Sequence, residues 1–265
     1  MRSSTVGPTL LTDLVDGVQT LTLNRPDRRN AIDAELRGAL AAAVHDAGAK
    51  ADVRGVVLTG AGGAFCAGGD LADFDELRDP RAYRHVSQLL TDLVESLERL
   101  EKPVVAAIDG VVTGAGLALA LACDWRIGSP RARILFREGR VGLVPTHGGL
   151  TRLVKLVGLA RAKEVLLGGD DLDARHAHDA GLLTEIAGDG EDVVALARAR
   201  VNAMLVRAPL SFAAAKRLLH LAADVDQRSA MLAESLAQTA LLQTEDHQEG
   251  LAAARERRDP RFRAI

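Results

Sequence analysis

Two apolar-rich segments, Leu10–Val15 and Val18–Leu23, flank the dipeptide Asp16-Gly17. Such a dipeptide supplies the positive φ angles of a tight turn, so the pair reads as an antiparallel hairpin. Beyond it the apolar spacing becomes helical: Leu36, Leu40, Ala43 and Val44 share one face behind Asp33, which predicts a capped helix to about Ala47. Val56-Val57-Leu58 is a continuous apolar run of buried-strand type. Val104-Val105-Ala106-Ala107-Ile108 repeats it after a long helix predicted over Tyr83–Leu100, with Pro103 blocking the helix and starting the strand. Strand, helix, strand in this order implies parallel pairing with right-handed crossovers. Trp125-Arg126-Ile127 and Arg133–Phe136 read as further short strands.

From His147 onward the pattern is helix after helix, broken at Gly158, Gly168-Gly169, Gly181, Gly188 to Gly190 and Pro209. Pro209 stands where it can open a helix that Arg217, Leu218, His220 and Leu221 continue. The chain therefore divides into an α/β core, 1–190, and a C-terminal helical region, 191–265, expected to cover or extend that core.

Composition narrows the class. With 265 residues, 48% hydrophobic and 26% charged, the chain has enough apolar material for a full core. A net charge of −3, from 36 acids against 33 bases, gives no overall positive field for nucleic acid or an anionic membrane. The N-terminus lacks an apolar run of signal-peptide length, and no stretch has the length of a membrane span, so a cytoplasmic protein is expected. Cys66 and Cys123 lie in apolar stretches without metal-ligand spacing and read as reduced, buried thiols, with no metal site.

The chemistry starts from two glycine loops. After Val56–Leu58 comes Thr59-Gly60-Ala61-Gly62-Gly63 and then Ala64–Asp70; after Val104–Ile108 comes Asp109-Gly110 and then Gly114-Ala115-Gly116 before an apolar helix. Glycine lets backbone approach a ligand closely, and the first N–H groups of a helix are free donors that favour an anion. Fixed N–H groups of this kind stabilise the oxyanion that forms when a thioester loses an α proton or is attacked. Both loops are read here as strand, turn and helix N-terminus.

At these residues the chain resembles the enoyl-CoA hydratase/isomerase (crotonase) family, from about Leu10 to Phe262. Ala64-Phe65-Cys66-Ala67-Gly68-Gly69-Asp70 and Gly114 through Asp124 resemble the two halves of that family's oxyanion hole. Leu23-Asn24-Arg25-Pro26 with Arg29-Asn30-Ala31-Ile32 is similar to the opening motif that lies along CoA, and Gly142 through Gly149 to the glycine-proline signature. Thr244 to Phe262 resembles the closing helix and basic tail, although Ala254 replaces a common aromatic. The resemblance implies a spiral of ββα units with a C-terminal helical trimerisation region, as a homotrimer or dimer of trimers. It also implies an acyl-CoA thioester substrate that carries its own coenzyme A, with no further cofactor. The backbones of Ala67 and Ala115 then form the oxyanion hole. Arg25, Arg29, Ala31, Ala64, Gly68, Asp70, Leu71, Gly116 and Arg257 contribute to substrate and CoA binding.

Family hydratases hold a water between two glutamates. The later position is Glu138, but the earlier is Ala118, whose methyl group cannot hold or deprotonate water. One carboxylate suffices to move a proton between carbons, so the leading expectation is double-bond isomerisation of an enoyl-CoA with Glu138 as the single acid/base. Otherwise Glu138 makes a surface salt bridge to Arg137 or Arg140. Dehydration of a 3-hydroxyacyl-CoA or hydration of a 2-enoyl-CoA is the runner-up, then decarboxylation or carbon–carbon hydrolysis. A non-catalytic acyl-CoA-binding or assembly subunit is the alternative of another class. His147 is either a second acid/base or a helix cap. Asp124 reads as a structural acceptor. Asp70, Asp73, Asp75 and Glu76 read as a solvated, capping cluster, with Asp75 or Tyr83 within reach of a substrate hydroxyl.

Overall fold

The computed structural model describes residues 7–70, 72, 77–169 and 171–265. The hairpin forms as β1 (Leu10–Val15) and β2 (Val18–Leu23), with Asp16 and Gly17 both at positive φ. Helix α1 (Ala34–Ala49) follows, and the Asp33 carboxylate accepts the Leu36 N–H at 2.8 Å. Then come β3 (Gly55–Gly60), β4 (Ala64–Cys66) and α2 (Pro80–Arg99). The unit recurs as β5 (Val104–Ile108), β6 (Val111–Thr113) and α3 (Gly114–Ala122). A third copy is β7 (Trp125–Gly128), β8 (Arg133–Leu135) and α4 (Gly149–Gly168), the last kinked at Gly158. Short β9 (Leu172–Asp173), α5 (Ala174–Asp179) and β10 (Glu185–Ile186) lead into α6 (Val193–Met204), α7 (Pro209–Ala222), α8 (Gln227–Leu241) and α9 (Glu245–Glu256).

Each ββα turn places its first strand in a six-stranded sheet, β1-β2-β3-β5-β7-β10, and its second in a four-stranded sheet, β4-β6-β8-β9. Only the β1–β2 and β8–β9 pairs are antiparallel. Both faces of the larger sheet are covered at its central strands β3 and β5, which is why Val56–Leu58 and Val104–Ile108 are uninterrupted apolar runs. Val56, Leu58, Val104, Ala106 and Ile108 face a core with α1, α2 and α3, while the alternating Val57, Val105 and Ala107 pack with Val193, Ala197 and Val201 of α6. Each fully buried valine or leucine here contributes about 1.5–3 kcal/mol.

The expected boundary after residue 190 falls between β10 and α6, yet α6 seals the second face of the sheet, so the two stretches share a core there. Of the smaller sheet only β8 was foreseen, as the strand read over Arg133–Phe136; β4, β6 and β9 are two or three residues long, too short for a period-two pattern to register. Cys66 and Cys123 are buried free thiols, each pushed up to about 12 by burial. Among the described residues, no helix is long and apolar enough to cross a membrane.

Candidate active site

The site is built on a knot between β2 and α1. Arg29 and Asn30 both take left-handed backbone, with φ of 49° and 57°. That turn buries Asn30 completely, and its side chain links three segments. Oδ1 accepts the Arg25 N–H at 2.9 Å, while Nδ2 donates to the carbonyls of Ala61 at 2.9 Å and Ala64 at 2.7 Å. Asn30→Ala should therefore cost about 2–4 kcal/mol, since it leaves buried carbonyls unpaired and places alanine at a positive φ. Chemical denaturation of the variant measures this loss.

Arg25 closes the same knot. Its guanidinium pairs with Asp33 at 3.0 Å and with Asp70 at 2.9 Å, and donates to the Ala31 carbonyl at 2.5 Å. The Ala72 N–H and then Arg25 hold the Asp70 carboxyl below the usual carboxylate range. Arg25 thus organises the loop and is not a free cation for phosphate. Ala31 and Ala64 are buried, with their carbonyls taken by Arg25 and Asn30.

The two glycine loops meet. Gly68, at φ 94°, and Gly114, at φ 56°, face each other so closely that a Cβ built on Gly114 would lie 3.3 Å from the Gly68 Cα. Ala115 sits in the first turn of α3, where its N–H has no partner within the helix, and Thr113 makes no side-chain cap. In the first loop the donor differs from expectation. The Ala67 N–H is spent on the Arg29 carbonyl at 2.9 Å. Ala67 also lies outside the cavity lining, whereas Gly69, Asp70, Gly114 and Ala115 belong to it. The Gly69 N–H has no backbone acceptor among the described residues. Gly69 and Ala115 are therefore the pair that the geometry offers as donors.

The first loop also differs in construction: it leads into β4 and a bridge between Gly69 and Ile32, not into a helix. Sequence reasoning assigned it a helix start because β4 was too short to recognise. Gly116 is a packing residue, turned onto Cys66 and outside the cavity lining.

The cavity holds about 680 Å³ and is lined largely by apolar side chains, among them Ile32, Val86, Leu90, Val141, Leu143 and Val144. Glu138 stands in this wall. The surface ion pair that would explain it away is not made: Arg137 forms a bidentate pair with Asp171 instead, with Nε to Oδ1 at 3.0 Å and Nη2 to Oδ2. Glu138 Oε2 is buried without a partner among the described residues. Burial pushes its pKa up, partly offset by the backbone N–H groups of Glu138 and Arg137. A carboxyl whose pKa is raised in this way is chemically suited to taking up and returning a proton. Ala118 is buried under Gly149 at the start of α4, with its Cβ 3.6 Å from where a Gly149 Cβ would be, and it adds no second acid.

His147 lines the same cavity at φ 54°, just before α4. Its carbonyl accepts from Arg152 Nη1 at 3.1 Å, and Arg152 is itself clamped on Glu98 by two bonds of 2.7 Å. Gly148, not His147, is the N-cap of α4. Burial lowers the imidazole pKa, opposed by its bond to the Ser87 carbonyl. Tyr83 and Ser87, also in the lining, are four apart on α2 with Thr91 four further on. That i, i+4, i+8 run of hydroxyls was a sequence signal for a line of hydroxyls along one side of an amphipathic helix.

Of the other expected residues, Arg29 is exposed and gives its carbonyl to Ala67. Arg257 is an exposed left-handed cap at the end of α9, away from the cavity lining. Leu71, Asp73, Asp75 and Glu76 lie outside the described residues. Asp124 accepts the Val104 N–H at 2.8 Å and Lys216 Nζ at 2.9 Å, a structural acceptor. Asp124 and Lys216 belong to another cavity of about 700 Å³, where Glu98 is likewise paired with Arg152. Its carboxylates are already neutralised, so the cavity at Glu138 is the better candidate for proton transfer.

The two-sheet spiral of ββα units places the molecule in the crotonase-fold class, and its solved neighbours agree. An enoyl-CoA hydratase from Bacillus anthracis superposes with a TM-score of 0.91 at 30% identity, covering 97% of this chain and 100% of that one. Residues 14–264 match the family model described as enoyl-CoA hydratase/isomerase, and the chain belongs to that family. It is 34% identical over 255 residues to the enoyl-CoA isomerase/hydratase fer4 of Mycosarcoma maydis, covering 93% of this chain and 92% of the relative. It is 31% identical over 258 residues to the 1,2-epoxyphenylacetyl-CoA isomerase of Escherichia coli strain K12, covering 96% and 97%.

Proposed function

We propose that this protein is an enoyl-CoA isomerase that moves a double bond along an acyl chain through a thioester enolate. The observation that carries the reading is a carboxylate, Glu138, with one oxygen buried and unpartnered among the described residues, in a largely apolar cavity that also contains Gly69 and Ala115. Glu138 takes a proton from one face of the chain, the N–H groups of Gly69 and Ala115 hold the enolate oxygen, and the same carboxylic acid returns the proton to another carbon. No bond to water is made, so no second carboxylate is needed. Coenzyme A arrives with the substrate, and no further cofactor enters the scheme. Dehydration of a 3-hydroxyacyl-CoA is the second reading, favoured by one observation, the imidazole of His147 in the same cavity.

The reading includes assembly into a trimer or a dimer of trimers. Its support is the apolar surface of α8, where Met231, Leu232 and Leu236 are each more than half exposed in the single chain.

Incubation of 3-enoyl-CoA, 2-enoyl-CoA and 3-hydroxyacyl-CoA in deuterated water separates the reactions. The expected result is interconversion of the two enoyl isomers with deuterium entering carbon and no net gain of water. Fast hydration of 2-enoyl-CoA would overturn the isomerase reading.

A further inference from the structure

Glu138 follows a cation directly in the chain, and the fold holds that cation elsewhere. The Glu138 carboxyl meets the backbone N–H groups of Glu138 and Arg137, so the root of the Arg137 side chain lies beside it. A guanidinium turned this way would find the buried Oε2, which has no partner among the described residues, and bind it as a charge-assisted pair. Asp171 prevents this. It stands just before β9, which runs antiparallel to β8 with Arg133 opposite Asp173 and Ile134 opposite Leu172. The next step of that register sets Asp171 opposite Leu135, two residues before Arg137. From there its carboxylate accepts from Arg137 Nε at 3.0 Å and from Nη2, and Arg133 Nη2 stands 3.8 Å away.

The pair persists wherever Glu138 can ionise. The Arg137 hydrogen bonds, then the charges of Arg137, Arg133 and Arg140, hold the Asp171 carboxyl below the usual carboxylate range, whereas burial raises that of Glu138. Asp171 is therefore charged before Glu138 is. Among the described residues it is the one carboxylate paired with Arg133 or Arg137, and Arg140 makes no ion pair. The other titratable groups on the Glu138 cavity come from separate elements: Arg37 on α1, Asp70 in the first glycine loop, Arg78 and Tyr83 at the approach to α2, and His147 before α4. Asp70 is held by Arg25. No side-chain charge offsets the burial of Glu138, which is opposed by the two backbone N–H groups. Its raised pKa thus requires that no cation come closer.

We propose that Asp171 is a positioning residue for proton transfer: by pinning the Arg137 guanidinium beside β9 it keeps that cation off Glu138 and leaves the carboxylate free to take up a proton. The proposal rests on the reading of Glu138 as the acid/base given above. Asp171 lies outside the cavity lining and acts through Arg137. Without it, Arg137 turns onto Glu138, and an opposite charge within about 4–6 Å favours the ionised carboxylate. A carboxylate paired in that way is a weaker base, and the pairing occupies the oxygen that the substrate proton needs.

The test compares the wild type with Asp171→Ala, Arg137→Met and the double variant. The two side chains are 25% and 40% exposed, so neither truncation opens a cavity in the core. The Glu138 carboxyl is titrated directly by carbon-13 NMR on protein labelled at glutamate Cδ, its resonance assigned by its absence from Glu138→Gln. The pH dependence of kcat is followed on the same proteins with 3-hexenoyl-CoA. In Asp171→Ala the Glu138 midpoint and the rising limb of kcat should both move toward acid by about one pH unit, and the plateau should fall about 3- to 10-fold with KM within about twofold. Arg137→Met should keep the wild-type midpoint, and the double variant should return to it, since no cation is left to be released. A midpoint unmoved in Asp171→Ala overturns the proposal. So does an acid shift that survives in the double variant, or a loss of rate without any shift, which marks Asp171 as merely structural. If the midpoint moves and the kcat limb stays, Glu138 is not the base, and the reading of the site fails with the proposal. If the wild type moves no double bond, the isomerase reading fails by itself, and the titration still decides whether Asp171 keeps Arg137 off Glu138.

Discussion

Glu138→Gln should lower kcat for double-bond migration about 1000-fold while acyl-CoA affinity changes little, since general acid–base groups contribute about 10²- to 10⁴-fold. Glutamine keeps the shape and one acceptor but cannot take up the α proton. Single-turnover kinetics beside equilibrium binding separate the two quantities. The pH profile carries a second signature. Burial raises the Glu138 pKa, so the wild-type rate should climb with pH through a limb above the ordinary glutamate range, and the variant's residual rate should lack that limb.

Stability should move the opposite way. A carboxyl whose folded pKa is raised stabilises the fold in its protonated form, below the unfolded pKa, and that contribution is lost as pH rises through the folded pKa. Above the folded pKa the wild type therefore holds an unfavourable buried charge, and in that range Glu138→Gln should melt at or above the wild-type temperature. A variant that loses activity and also melts far lower would indicate that Glu138 is structural.

Gly116→Ala should be among the most damaging single-methyl changes in the chain, at about 3 kcal/mol, the upper range for overpacking. The Tm should fall by about 6–12 °C on the usual scaling for a chain of this size. The added Cβ would stand 2.5 Å from the Cys66 Cβ, 2.6 Å from its Sγ and 2.9 Å from its carbonyl. Cys66 has nowhere to go: it is fully buried, and its Sγ meets the Asn30 carbonyl at 3.0 Å. The strain therefore passes along the chain into Ala67, Gly68 and Gly69, and activity should fall together with stability. Gly38→Ala is the control within a helix. Nothing lies within 4 Å of that position, so alanine's better helix propensity should leave stability unchanged or raise it by about 0.5–1 kcal/mol.

Gly116 and Gly69 show where sequence reading reaches its limit. Both stand in glycine loops whose residue types announce a close backbone approach. Which glycine approaches a ligand and which approaches another strand depends on what lies opposite, and a linear pattern does not contain that. Ala67 was the expected donor because of its place in the motif. Its N–H is lost to Arg29, a residue distant in sequence that is brought near by two consecutive left-handed residues, Arg29 and Asn30. Neither is glycine, and only Asn30 is of a type that visits this region readily, so the paired left-handed turn was not announced. Arg25 was likewise expected at a phosphate because it is a cation in a motif. Asp33 and Asp70 claim it, and Asp70 comes within reach only when the first glycine loop folds back beside Ile32.

Sequence alone determined the central strands of the larger sheet, because strands buried on both faces are continuous apolar runs, and its helices, which carry caps and proline starts that local chemistry dictates. It also determined the absence of a second glutamate at Ala118, a matter of residue identity. Tertiary structure alone decided β4, β6 and β9 of the smaller sheet, which are too short to show a period. It alone decided that Glu138 makes no ion pair among the described residues, since Arg137, its neighbour in sequence, turns to Asp171. And it alone brought the His147 ring against Thr91, on a helix more than fifty residues earlier in the chain. Hydrogen-bond sense and desolvation belong to groups brought together by folding, so they cannot be read before the chain has closed on itself.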